Sequence, residues 1–103
     1  MVYGPNEIWS ADLIDMREFS NDNKDYNYLL NVIDIFSKYA WSIPLKTKIA
    51  SEVTKEFESI LTKNHPKKLC VDQGSEFYNK TFDKLLKSKK IEIYHTFNEG
   101  RLL

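Results

Sequence analysis

Cysteine is nearly absent from this chain, since Cys70 is the single cysteine among 103 residues. A lone cysteine excludes an internal disulfide and is typical of a reducing compartment, so we expect a nuclear or cytoplasmic protein rather than a secreted one. Because Cys70 stands in an apolar strand-like run, we predict a small buried side chain there rather than a reactive thiol.

Long apolar runs are also missing. No stretch approaches the roughly 20 residues of a membrane span, and no signal-peptide core is recognisable, so no membrane partner is expected. Low-complexity tracts and internal repeats are absent, and glycine and proline number three each. An apolar fraction of 42% and an aromatic fraction of 14% suffice for a packed core. The composition therefore predicts one ordered domain.

Net charge is zero, but the charges are unevenly distributed. Residues 1–34 carry seven acidic and two basic side chains, whereas residues 63–90 carry eight lysines against three acidic side chains. The basic segment could contact a phosphate backbone, although a solvated helix surface is the simpler interpretation of the composition alone. The candidate nucleic-acid contacts in this segment are Lys84, Lys87, Lys89 and Lys90.

The periodicity predicts an α/β domain with the element order β-β-β-α-β-α-β. Strands are expected over residues 7–16, 28–35, 39–45, 68–72 and 91–95, and the first three should form an antiparallel meander. Pro44 should end the third strand or place it at an edge. We predict a first helix over residues 51–63, capped by Ser51 and stopped by His65-Pro66. Asn79 is the expected cap of the second helix, which carries Phe82, Leu85 and Leu86.

Two aspartates end separate apolar strands. Asp12 lies late in the first predicted strand, on the face opposite Trp9, and Asp72 closes the fourth. A strand that returns from a helix beside the first strand would be parallel to it, and ligands gather where such strands end. Two neighbouring carboxylates without a cationic partner are suited to Mg²⁺. The pattern therefore predicts a metal site made by Asp12 and Asp72.

Three segments resemble the catalytic core of retroviral-type integrases, in particular those of Maverick/Polinton DNA transposons. Residues 8–16, Ile-Trp-Ser-Ala-Asp-Leu-Ile-Asp-Met, resemble the first catalytic strand of that family. Residues 32–41, Val-Ile-Asp-Ile-Phe-Ser-Lys-Tyr-Ala-Trp, resemble its second and third strands. Residues 71–77, Val-Asp-Gln-Gly-Ser-Glu-Phe, resemble the segment with the second catalytic aspartate. The resemblance spans roughly residues 5–99.

The resemblance implies an RNase H-like fold, DNA as partner, and DNA integration by a D,D-35-E triad that holds two Mg²⁺ or Mn²⁺ ions. Asp12 and Asp72 match the first two members of the DDE triad. The third, a glutamate, would fall beyond Leu103, and we do not assign its role to Glu99, which is too close to Asp72. We therefore expect a C-terminally truncated core, weak or inactive alone, with weakly bound metal.

The expected organisation is a linker remnant at residues 1–6, an incomplete integrase-like core at 7–99 and a tail at 100–103. Without further helices, apolar surface should stay open, so we expect a homodimer or larger species. Two alternatives remain. One is an active nuclease or strand-transferase whose third ligand comes from another acidic residue or a partner chain. The other is a non-enzymatic nucleic-acid-binding or dimerising module retained from a transposon.

Other notable residues have structural interpretations. Asp15 lies an odd number of positions from Asp12 and should point to the other face. Asp34 should shape the turn between the second and third strands. Glu76 is either a carboxylate at the start of a helix, which is the preferred interpretation, or a residue near DNA. Four aromatic residues are predicted to be core residues before they are base-stacking platforms: Trp9, Trp41, Phe57 and Tyr94.

Overall fold

A five-stranded mixed sheet organises the protein. The computed structural model describes residues 4–19, 25–61, 64–71 and 75–95. The strands are β1 (Ile8–Asp15), β2 (Tyr28–Asp34), β3 (Ala40–Leu45), β4 (Lys68–Val71) and β5 (Glu92–His95), and the helices are α1 (Ala50–Ser59) and α2 (Lys80–Ser88). A 3₁₀ turn, Arg17–Phe19, follows β1. The predicted element order is confirmed.

The strand order in the sheet is β3-β2-β1-β4-β5. β1, β2 and β3 form the predicted antiparallel meander, and β4 pairs in parallel with both β1 and β5. Two crossover helices make this possible, because each returns the chain to the edge where the next parallel strand begins. The predicted parallel pairing of the first and fourth strands is therefore confirmed.

One face of the sheet is covered by both helices. On β1, Trp9 and Ala11 are buried on that face, as the alternation predicted, and they join Phe57 of α1 and Phe82 of α2 in one core. The rings of Phe57 and Phe82 lie 5.2 Å apart, which joins the two helices over the sheet. Among the described residues, no helix is long and apolar enough to cross a membrane.

The boundaries of α1 differ from the prediction. The N-cap is Ile49, which has no capping side chain, and Ser51 lies inside the first turn, so the predicted cap is wrong. The carboxylate of Glu52 instead accepts the backbone N–H groups of Lys46 and Thr47, each at 2.9 Å, and ties the incoming loop to the helix. The helix ends at Ser59, well before His65-Pro66, because the next N–H groups bond three residues back.

Four further predictions concern individual residues. Asn79 caps α2 as expected, its side-chain oxygen accepting the Phe82 N–H at 2.8 Å. Pro44 lies in β3, which is an edge strand. Cys70 is buried, as predicted. Tyr94 is 37% exposed, so its predicted place in the core is wrong: strand alternation turns Ile93 toward the helices and Tyr94 to the opposite face.

Candidate metal and DNA site

Asp12 lies on the sheet face opposite the helices. Strand alternation places Ala11 in the core and turns the next side chain outward, and the Asp12 side chain is exposed. Ala11 is the partner of Val71 across the parallel β1–β4 pair, and Asp12 is the partner of Asn31 across the antiparallel β1–β2 pair. Asp12 therefore lies near the carboxyl ends of the parallel strands, on an open surface.

Two predicted or considered acidic residues, Asp72 and Glu99, lie outside the described residues. β4 is described as far as Val71, and the chain is described again from Ser75. Within the described residues, no group of three or more histidine, cysteine, aspartate or glutamate side chains could hold a metal ion. Asp12 is an exposed carboxylate, the ligand type that Mg²⁺ prefers, so its chemistry fits one ligand of such a site.

A shallow cavity of about 370 Å³ opens beside Asp12. It runs across β1, β2 and β3 and has polar side chains from all three strands. Within it, the Ser42 hydroxyl donates a hydrogen bond of 2.6 Å to the side-chain oxygen of Asn31. Sequence reasoning missed Asn31 and Ser42. The available signal was a single amide in the apolar run Leu29-Leu30-Asn31-Val32-Ile33.

A larger cavity, about 740 Å³, lies near the opposite edge of the sheet and includes Asp34, Tyr39 and Trp41. The Asp34 carboxylate in its wall accepts three backbone N–H groups, at 2.8, 3.0 and 3.3 Å. Burial disfavours the charged form, but these donors together outweigh it and lower the pKa of Asp34. Asp34 thus closes the β2–β3 turn, as predicted, and the larger cavity is not the site next to Asp12.

Asp15 has a local partner. Its carboxylate pairs with the Arg17 guanidinium at 2.7 Å on the exposed surface. The side-chain hydrogen bond from Arg17, followed by its backbone N–H, lowers the pKa of Asp15. A charge already matched by a neighbouring cation is less suited to bind a metal ion, which agrees with a structural role.

The four candidate lysines lie on or after α2. Lys84, Lys87 and Lys90 are exposed and Lys89 is half-buried. Lys87 pairs with Asp83 at 3.1 Å. Lys89 and Lys90 come just before Ile91 and β5, whose first residue, Glu92, is level with Lys68 of β4 and Ile8 of β1. That level lies four residues, or about 13 Å at 3.3 Å per residue, from Asp12 along β1, so the two lysines lie toward the end of the sheet where the parallel strands begin.

A family model and two relatives that match this chain indicate retroviral or retrotransposon integrases. Residues 2–97 match the family model described as "Integrase core domain". The chain is 31% identical over 96 residues to the Gag-Pro-Pol polyprotein of bovine leukemia virus, covering 90% of this chain and 6% of the polyprotein. It is 33% identical over 93 residues to Gypsy retrotransposon integrase-like protein 1 of Homo sapiens, covering 85% of this chain and 18% of that protein. The chain thus spans less than a fifth of either relative.

Solved structures share the fold. The HTLV-2 integrase catalytic core domain in complex with magnesium, in its dimeric form, superposes with a TM-score of 0.75 at 23% identity, covering 92% of this chain and 63% of that one. A chain of the simian T-cell lymphotropic virus intasome in complex with PP2A regulatory subunit B56 gamma gives 0.77 at 20% identity, covering 98% and 38%. The predicted RNase H-like fold of integrase cores is confirmed.

Proposed function

Because the chain belongs to the integrase core domain family, we propose that it acts as the catalytic core of a DNA integrase, a polynucleotidyl transferase that cuts and joins phosphodiester bonds. The observation that carries this proposal is the parallel pairing of β1 with β4, in which Ala11 and Val71 are partners. In the sequence, Asp12 follows Ala11 and Asp72 follows Val71. Each of these two aspartates therefore directly follows one member of a pair of residues that lie side by side on adjoining parallel strands.

The proposed role of Asp12 and Asp72 is to bind Mg²⁺ or Mn²⁺. Mg²⁺ retains several waters and is commonly held by one or two carboxylates together with substrate phosphates. The bound ion would stabilise negative charge that develops on the phosphoryl oxygens. Asp12 suits this role because its carboxylate is exposed beside an open cavity. The HTLV-2 integrase core, which shares the fold, was solved in complex with magnesium, and this supports a divalent ion as the cofactor.

We propose DNA as the partner, bound across the end of the sheet at which the parallel strands β1 and β4 finish and Asp12 lies. Lys84 lies in the middle of α2, whereas Lys89 and Lys90 lie near the opposite end. The last two are therefore suited to contact DNA away from the bond being cut. The motif resemblance further supports an origin in a transposon of the Maverick/Polinton type.

The test is metal-dependent nicking of end-labelled DNA by the 103-residue chain in Mn²⁺. We expect slow nicking that is lost in Asp12→Ala and Asp72→Ala, because each change removes a proposed metal ligand. Asp15→Asn is the matched control, since it alters an acidic residue on the same strand whose partner is Arg17. Nicking that persists in both alanine variants, or that is lost equally in Asp15→Asn, would contradict the assignment.

A second candidate function is a DNA-binding or dimerising module without catalysis. The observation in its favour is that apolar side chains on the open sheet face are partly exposed, among them Ile14 at 38% and Tyr94 at 37%. We propose that this face is covered in a homodimer or larger assembly, in line with the dimeric and trimeric HTLV-2 cores. A salt-dependent DNA shift without cleavage, with a dimer by light scattering, would favour this function. A monomer at high concentration would contradict the assembly.

A further inference from the structure

Three polar side chains form a row across the open face of the sheet. Asp12 on β1 is the register partner of Asn31 on β2, and Asn31 is the register partner of Ser42 on β3. All three line the cavity of about 370 Å³. The core side chains of these strands point to the other face, so the row is set apart from the packing that holds the fold together.

The hydrogen bond from Ser42 fixes the direction of the Asn31 amide. The Ser42 hydroxyl donates to the amide oxygen at 2.6 Å, so that oxygen faces β3. The amide nitrogen lies on the other side of the planar group and carries two N–H donors. The neighbouring strand on that other side is β1, where Asp12 is directly opposite.

The spacing of the two strands suits a contact between these side chains. Directly opposed residues of an antiparallel pair have Cβ atoms about 4.5–5.5 Å apart, within reach of an amide-to-carboxylate hydrogen bond. An ionised aspartate only accepts hydrogen bonds, so the amide N–H groups of Asn31 are complementary to it. Hydrogen bonds to an ionised acceptor are stronger than those between neutral groups.

We propose that Asn31 is a positioning residue for Asp12. Among the described residues, the structure gives the Asn31 side chain one hydrogen bond, from Ser42, which holds the amide in this orientation. The inferred contact is a second one, in which a side-chain N–H of Asn31 donates to one carboxylate oxygen of Asp12 and leaves the other oxygen for the metal ion. This inference rests on the proposed role of Asp12 as a metal ligand. When a residue that hydrogen-bonds to a metal-binding side chain is removed, the affinity for the metal typically falls by about 10–100-fold.

The first measurement is Mn²⁺ affinity, followed by the loss of the free-ion electron paramagnetic resonance signal. Asn31→Ala should raise the Kd for Mn²⁺ by about 10-fold. Ser42→Ala should raise it by a smaller factor, and Ser42→Thr should restore it because threonine keeps the hydroxyl. Ser37→Ala is the matched control: it also removes a serine hydroxyl that makes one hydrogen bond, but at the β2–β3 turn. Thermal unfolding of each variant checks that the fold is intact.

The second measurement needs no metal. The side-chain amide resonances of Asn31 are followed by NMR in wild type, Asp12→Ala and Ser42→Ala. We expect both substitutions to shift them and Ser37→Ala to leave them unchanged. Resonances that do not move in Asp12→Ala would overturn the proposed contact whether or not Mn²⁺ binds.

The two measurements separate the possible failures. If Mn²⁺ binds wild type and is lost in Asp12→Ala, but folded Asn31→Ala binds as tightly as wild type, the positioning role is wrong and the metal site stands. If Mn²⁺ does not bind wild type, the proposed metal site on this chain fails. The Asn31 contact to Asp12 is then decided by the amide resonances alone.

Discussion

Replacing Asp34 by asparagine should destabilise the protein strongly at neutral pH, although the two side chains have nearly the same shape. Asp34 is 3% exposed and sits at the end of β2. One carboxylate oxygen accepts the Asn6 N–H at 2.8 Å, and the other accepts the N–H groups of Phe36 and Ser37 at 3.0 and 3.3 Å. The side chain therefore holds the β2–β3 turn and the segment before β1 together.

The magnitude follows from these three bonds. Asparagine keeps one acceptor oxygen, but its NH₂ group would face one of the backbone donors, so at least one bond to a charged acceptor is lost, at about 1.5–3 kcal/mol. The remaining bonds become neutral and weaker. We expect a loss of about 3 kcal/mol from a total of roughly 5–15 kcal/mol for a domain of this size. The melting temperature should fall by roughly 10–20 °C.

The pH dependence gives an independent check. The pKa of Asp34 is lowered in the folded state, so its contribution is present above the unfolded value of about 3.9 and is lost as the pH falls through the folded pKa. The difference between wild type and Asp34→Asn should therefore shrink between pH 5 and pH 2. Urea unfolding monitored by tryptophan fluorescence measures it, since Trp9 is buried beside this segment.

The control is Asp15→Asn, the same chemical change at the end of β1 in an exposed ion pair. It should leave the free energy of unfolding nearly unchanged, because solvent screens such pairs. A loss below about 0.5 kcal/mol in Asp34→Asn at pH 7, within the range of ordinary surface substitutions, would refute the reasoning. So would a difference from wild type that stays constant from pH 7 to pH 2.

Three further substitutions test local features of the fold by chemical unfolding. Asn79→Ala should cost about 1 kcal/mol because it removes the cap of α2, whereas Ser51→Ala should stay within about 0.5 kcal/mol because Ser51 is not the cap of α1; equal losses would contradict the cap assignments. Phe57→Ala should cost about 3–5 kcal/mol, since the fully buried ring packs against Phe82 and leaves a cavity. A loss below 1 kcal/mol would mean that the core collapses around the gap.

Local sequence chemistry was sufficient for much of the fold. Asn79 is followed by apolar residues at helical spacing, and an amide oxygen that accepts the N–H three residues on needs no distant partner. Pro44 restricted β3 to an edge because its ring nitrogen cannot donate to a ladder. Strand alternation likewise gave the buried face of β1, since the side-chain period of two holds along the whole strand.

The errors arose where distant segments decide the outcome. The start of α1 depends on Glu52, which accepts N–H groups from Lys46 and Thr47, and nothing in the helix itself shows where that loop returns. Tyr94 is predicted to be a core residue, whereas the register of β5 turns its side chain to the open face of the sheet. The sequence did not single out Asn31 because its importance depends on which residues lie opposite it on β1 and β3. The connection from β1 to β2 is too long for the register of that pair to be predicted from the sequence.

The order of strands in the sheet also has a kinetic consequence. β1, β2 and β3 are consecutive in the chain and adjacent in the sheet. These three strands can therefore pair while the rest of the chain is still being synthesised. Pairing β4 with β1 brings residues 11 and 71 together. The chain loses the conformational entropy of closing this long loop before the hydrogen bonds between the two strands can form. The end of the sheet that carries the proposed metal site is therefore completed late, so a nascent chain lacks that site until its C-terminal half has been made.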